Sequence, residues 1–103
     1  MTKKMIAVVV AAGLSLSAGF AHADAGLAKA KNCTACHAMD KKLIGPGFKS
    51  IAEKYKADAG GPAKLVKKVL AGGVGVWGQV PMPPNPQVTE AEAQTLVTWI
   101  LAM

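Results

Sequence analysis

The chain is 103 residues long, enough for one small domain. All twelve basic residues are lysines, set against six acidic residues for a formal charge of +6, and aromatic residues make up 5% of the composition. A chain with no arginine and few rings to stack on bases is a poor nucleic-acid binder, so its positive charge points to solubility or to acidic protein partners.

The first segment reads as an export signal. Lys3 and Lys4 precede an apolar run over residues 5–14, and small residues follow, ending in Ala21-His22-Ala23. A basic start, a short apolar stretch and a small-x-small site predict a secretory signal peptide, residues 1–23. The run is shorter than the about 20 apolar residues that span a bilayer. No later segment is long and apolar enough, so the mature form is expected to carry no membrane span. The mature domain is then residues 24–103, with ten lysines against six carboxylates. A domain this small has little core and needs a staple.

Residues 24–32 are expected to form a short helix, with Asp24 suiting its positive end and Leu27 as its one large apolar contact. It runs into Cys33-Thr34-Ala35-Cys36-His37. Two thiols three positions apart, followed at once by histidine, form a c-type haem attachment motif. The thiols of Cys33 and Cys36 add across the two vinyl groups of the porphyrin. His37 then falls beneath the iron as its proximal ligand. Three competing readings lack what they need. A thioredoxin-like site brings βαβ patterning, a structural zinc site needs four ligands, and a C-x-x-C disulfide closes too small a loop to stabilise much.

Residues 38–42 read as a loop, and Leu43-Ile44-Gly45-Pro46-Gly47 as a turn that cannot continue a helix. The Pro46 carbonyl is free to accept a bond from a ligand histidine, although from spacing alone the turn needs no such role. Residues 49–58 predict a second helix, with Ile51, Ala52 and Tyr55 inward. Residues 63–71 predict a third, with Leu65, Val66, Val69 and Leu70 as its buried stripe and Pro62 in its opening turn. The glycine-rich residues 74–80 read as loop, with no partner strand in sight. Pro81-Met82-Pro83-Pro84-Asn85-Pro86 is expected to be a stiff, extended loop, since four prolines in six residues fit neither a helix nor a central strand. Thr89 and Glu92 form a capping box that opens the last helix, with Leu96, Trp99 and Ile100 on its inner face. The expected fold class is therefore all-α, four to five short helices around one haem.

Function turns on the sixth iron position. Met39 lies too near His37 in sequence to reach the far face, and Met103 is terminal and expected to fray. Met82 is braced by prolines and follows His37 by enough chain to wrap the ring. As a ligand it closes the iron and makes an electron carrier. If Met82 only fills the core, the iron is open, and the alternative is a haem sensor or a peroxidase-like enzyme. The mature chain has no second histidine and no arginine to assist peroxide chemistry.

Lys31-Asn32-Cys33-x-x-Cys36-His37-Ala38, Ile44-Gly45-Pro46, Gly75-Val76-Trp77-Gly78 and Pro81-Met82-Pro83-Pro84-Asn85 together resemble small bacterial class I cytochromes c, specifically the cytochrome c-551/c-552 group. The resemblance covers essentially all of residues 24–103. It implies one covalent haem c, first and last helices that cross, and His37 and Met82 as axial ligands. It also implies Pro46 as acceptor for the ligand histidine, Trp77 as a propionate donor and Asn85 as a guide for the Met82 sulfur. Gly47, where relatives are expected to carry a larger or less flexible residue, is expected to loosen the loop after Pro46. The implied role is a periplasmic, non-enzymatic, monomeric one-electron carrier. Lys31, Lys41, Lys42 and Lys49 would dock on acidic patches of redox proteins such as a terminal oxidase, a nitrite reductase or a cytochrome c peroxidase.

Overall fold

Among the described residues four helices and one small hairpin build the fold: α1 (Phe20–Ala30), α2 (Phe48–Tyr55), α3 (Gly61–Ala71), β1 (Gly73–Gly75), β2 (Gly78–Met82) and α4 (Glu90–Leu101). The computed structural model describes residues 20–103, with side chains from Asp24 onward. Most of the expected signal segment therefore lies outside the described residues. Among those residues no helix is long and apolar enough to cross a membrane.

α1 continues upstream of the expected Asp24 and stops two residues short of the expected end. The stop has a local cause. Asn32 takes a left-handed conformation (φ 66°), which helices do not propagate and asparagine tolerates better than most side chains. Cys33–Ala35 then tightens into a 3-10 turn, with the Cys33 carbonyl accepting from both Cys36 N–H and His37 N–H. α2 begins one residue early, at Phe48, and ends at Tyr55, three short of expectation. Asp58 causes the early end: its carboxylate accepts from Gly60 N–H at 2.9 Å and pairs with Lys64 at 2.8 Å, turning the chain into α3. The predicted capping box on α4 is present in both halves: Thr89 Oγ1 accepts from Glu92 N–H, and Glu92 Oε1 accepts from Thr89 N–H.

The core has two parts. Phe48, Ile51, Leu65, Val97 and Ile100 form one cluster. Ala28, Val88, Ala93 and Leu96 form the other, where α1 meets α4. The fully buried Ala28 and Ala93 carry no bulk beyond Cβ, which lets these two helices cross in contact. Among the residues of α1 from Asp24 onward Ala28 is the most buried, and Leu27 packs against the same cluster as expected. Met103 does not fray: it is half-buried against the Phe48 cluster, and its N–H donates to the Ile100 carbonyl.

The glycine-rich segment is a correction. Residues 73–82 form an antiparallel hairpin, with Gly73 opposite Met82 and Gly75 opposite Gly78. The partner strand that was missing from the sequence reading lies within the same stretch. Gly75 and Gly78 flank the two-residue Val76-Trp77 turn at φ 105° and 110°, conformations that only glycine adopts freely. Pro81 is tolerated because a two-stranded ribbon has only edges. Met82 therefore ends a strand, and the stiff loop begins after it.

Gly47 is a second correction. It is buried, and a Cβ there would sit 3.0 Å from Lys41 N and 3.1 Å from Lys41 O. It permits a close backbone approach rather than loosening the loop.

Candidate haem site

A cavity of about 670 Å³ opens between the Cys33–His37 turn, the 44–48 segment, α3, the hairpin and α4. That volume falls within the range of cofactor pockets. Its lining is largely apolar. Ile44 (60% exposed), Val80 (64%), Val74 and Val76 face it without cover from other side chains. A small domain rarely leaves so many aliphatic groups open in one place unless they meet something apolar.

Three walls carry donors of the right kind. Cys33 and Cys36 are both half-buried, unpaired thiols on the cavity wall. Burial, more than the neighbouring Cys36, pushes the Cys33 thiol up. Among the described residues no three His, Cys, Asp or Glu side chains converge as a bare metal ion would need. The two thiols and His37 do not form a zinc-type cluster.

Among the described residues His37 is the one buried polar side chain, 9% exposed. Its Nδ1–H donates to the Pro46 carbonyl at 2.7 Å. That bond fixes the tautomer and leaves the Nε2 lone pair for the cavity. The ring is also held by packing. Phe48 stacks on it at 5.4 Å between centroids, and Trp99 meets Phe48 edge-on at 5.3 Å. Gly45 lies so close that a Cβ there would come within 2.6 Å of His37 Cε1. The sequence marked Gly45 only as a turn residue; its contact with the imidazole arises in three dimensions and leaves no local signal.

Met82 lines the same cavity and is half-buried at the end of β2. Its approach depends on Gly72, which has φ 71° and sits against the Met82 carbonyl and the Pro83–Pro84 backbone, leaving no room for a Cβ. Two bonds from Asn85 reach the C-terminal end of α3: its N–H to the Leu70 carbonyl (3.3 Å) and its Nδ2 to the Val69 carbonyl (2.8 Å). Those carbonyls belong to the last turn of a helix, where intrahelical partners run out. Asn85 thus ties the methionine loop to α3. Trp77 occupies the hairpin turn, 43% exposed, on the cavity rim. Lys54 Nζ lies 5.8 Å from its ring centroid and 5.9 Å from that of Tyr55, bridging α2 to the hairpin.

The lysine ring expected around the site is not uniform. Lys41, Lys42 and Lys49 are exposed. Lys31 is engaged instead: its ammonium donates to the Gln87 carbonyl at 3.0 Å and pairs with Glu92 at 3.2 Å. The bond from Thr89 N–H, and then the Lys31 pair, hold the Glu92 carboxyl below the usual range.

The donor set and cradle fit a flat, apolar, covalently attached haem: two thiols, an imidazole lone pair and a thioether around an aliphatic cavity. Comparison with known proteins agrees. The family model described as Cytochrome c matches residues 23–103. Cytochrome c-551 of Allochromatium vinosum is 52% identical over 81 residues, covering 79% of this chain and 86% of that protein. Cytochrome c-552 of Nitrosomonas europaea is 48% identical, covering 90% of each chain. The crystal structure of wild-type Nitrosomonas europaea cytochrome c552 superposes with a TM-score of 0.74 at 47% identity, over 76% of this chain and 96% of that one.

Proposed function

The chain belongs to the cytochrome c family, and from that premise we propose that it is an exported one-electron carrier whose haem iron is held between His37 and Met82. Membership brings one covalently bound haem c, for which Cys33 and Cys36 supply the attachment motif, and electron transfer as the general role. The bound group supplies an iron that cycles between Fe(II) and Fe(III); the chain supplies the rest.

One observation carries the ligand assignment: a histidine anchored through Nδ1 and a thioether braced by Gly72 and Asn85 line one cavity from separate elements. Pro46 keeps His37 in the ligating tautomer and raises its basicity. Met82 favours the reduced state and so raises the potential. Both side chains sit on backbone fixed by packing, so little needs to rearrange when the charge changes. The aliphatic wall excludes water. Trp77, at the rim beside Lys54, would donate its indole N–H to a propionate. Lys41, Lys42 and Lys49 offer positive charge to acidic patches on redox partners, with an association rate that falls as salt rises. The signal segment, residues 1–23, directs the protein to the periplasm, where it works as a monomer.

Absorption spectra of the purified protein test the assignment. The oxidised form is expected to show the weak far-red band of methionine–iron ligation, and Met82→Ala to abolish it while the haem stays bound through acid–acetone extraction. A band that survives Met82→Ala overturns Met82 as ligand.

A further inference from the structure

The segment entering the haem motif and the loop leaving Met82 are joined by hydrogen bonds centred on Gln87. Gln87 Nε2 donates to the Lys31 carbonyl and to Asn85 Oδ1, both at 3.1 Å. Lys31 Nζ donates back to the Gln87 carbonyl at 3.0 Å. Asn85 Nδ2 donates to the Val69 carbonyl at 2.8 Å and more weakly to Pro83 at 3.4 Å.

Backbone carbonyls only accept, so they dictate which end of each amide faces them. Asn85 must aim its nitrogen at Val69, which leaves Oδ1 needing a donor. Gln87 must aim its nitrogen at Lys31, and that same nitrogen reaches Asn85 Oδ1. The two amides are therefore locked in complementary orientations. Lys31 stands two residues before Cys33 and Asn85 three after Met82, so the lock connects the two stretches that bear the iron ligands.

We propose that Gln87 is a positioning residue for Met82: by fixing the Asn85 amide and tying the loop to Lys31, it sets how readily Met82 yields the iron to a competing ligand. This rests on Met82 being the ligand. Gln87 is exposed and touches neither cavity nor core, so Gln87→Met keeps the side-chain length, removes the donors and leaves the fold intact.

The test is a titration of the oxidised, haem-loaded protein with imidazole, following loss of the far-red band. Removing two exposed hydrogen bonds, each at the weak end of ordinary net strength and so worth a factor of about 2, predicts imidazole binding roughly 5-fold tighter in Gln87→Met. Asp58→Ala, which breaks the Lys64 pair and the Gly60 bond at the α2–α3 turn, serves as the control and is expected to bind imidazole as the wild type does. A second readout does not depend on the iron: the Asn85 side-chain amide protons are expected to exchange with water faster in Gln87→Met. Unchanged imidazole affinity with the wild-type band present overturns this inference alone, as does an equal gain in Asp58→Ala. A wild-type spectrum without the band overturns the Met82 assignment and this inference together.

Discussion

Replacing Gly45 by alanine probes the seat of the axial histidine with a single methyl group. The added Cβ would lie 2.6 Å from His37 Cε1 and 2.9 Å from Nδ1, where ordinary contact begins near 3.4 Å. Either the imidazole retreats by about 0.8 Å, the difference between 3.4 and 2.6 Å, or the 45–46 backbone backs away. Both movements stretch the 2.7 Å bond between Nδ1–H and the Pro46 carbonyl. Phe48, stacked on the ring and itself buried, leaves little room for escape. Overpacking costs about 1–3 kcal/mol and the weakened bond about 0.5–1.5. A total of about 2 kcal/mol lowers the Tm of a domain this size by roughly 8–16 °C. The ligand also becomes less basic, which disfavours the oxidised iron. A differential of about 0.7 kcal/mol is roughly a threefold change in equilibrium, or a rise of roughly 30 mV for one electron. Thermal unfolding of the haem-loaded protein and a redox titration read the two effects. Gly47→Ala is the comparison: its tight contacts are with Lys41 backbone, not the ligand, so it should lower Tm and leave the potential in place. If Gly45→Ala matches the wild type in both measurements, the imidazole is not held as argued.

Gly72→Ala combines a left-handed φ with a collision at the Met82 carbonyl. It is expected to cost about 1–3 kcal/mol in stability and to weaken the far-red band. Thr89→Ala removes half of the α4 capping box and should cost about 1 kcal/mol by chemical denaturation. The Glu92 and Asp58 carboxyls are held low in the folded chain, Glu92 first by Thr89 N–H and Asp58 first by Lys64. Their contribution is therefore complete above the unfolded carboxylate range and fades as pH falls through the folded pKa values. In Glu92→Gln the acid limb of a stability–pH curve should be shallower; an identical limb refutes the linkage. Charge reversal at Lys41, Lys42 and Lys49 should slow association with an acidic redox partner at low salt, whereas Lys31→Glu should chiefly lower Tm, because Lys31 is committed to Gln87 and Glu92.

The cofactor was legible because attachment chemistry is local: Cys33, Cys36 and His37 must be neighbours in sequence. The α4 cap was legible for the same reason, Thr89 and Glu92 being three residues apart. The hairpin was not, because glycine spacing reads as loop until one sees that Gly75 and Gly78 bracket a two-residue turn and that Gly73 pairs with Met82. The roles of Gly45, Gly47 and Gly72 were hidden for another reason. What matters at each is the atom that a side chain would strike, and that atom belongs to residue 37, 41 or 82. Lysine placement failed likewise: Lys31 reads as one more surface charge until Gln87, 56 residues away, turns out to be its partner.

The aromatic stack from Trp99 through Phe48 to His37 bears on the order in which the protein can be made. α4 is the last element in chain order, and it provides Leu96, Val97 and Ile100 to the two core clusters. Until it docks, Phe48 lacks the backing of Trp99, Val97 and Ile100, and the face it presents to the imidazole is less firmly held. Haem attachment at Cys33 and Cys36 would then need no docked α4, whereas closing the pocket lined by Leu96, Val97, Trp99 and Ile100 would. Truncation before Glu90 should accordingly leave haem attachment possible and destroy the ligand spectrum, making the C-terminal helix a latch on the bound group.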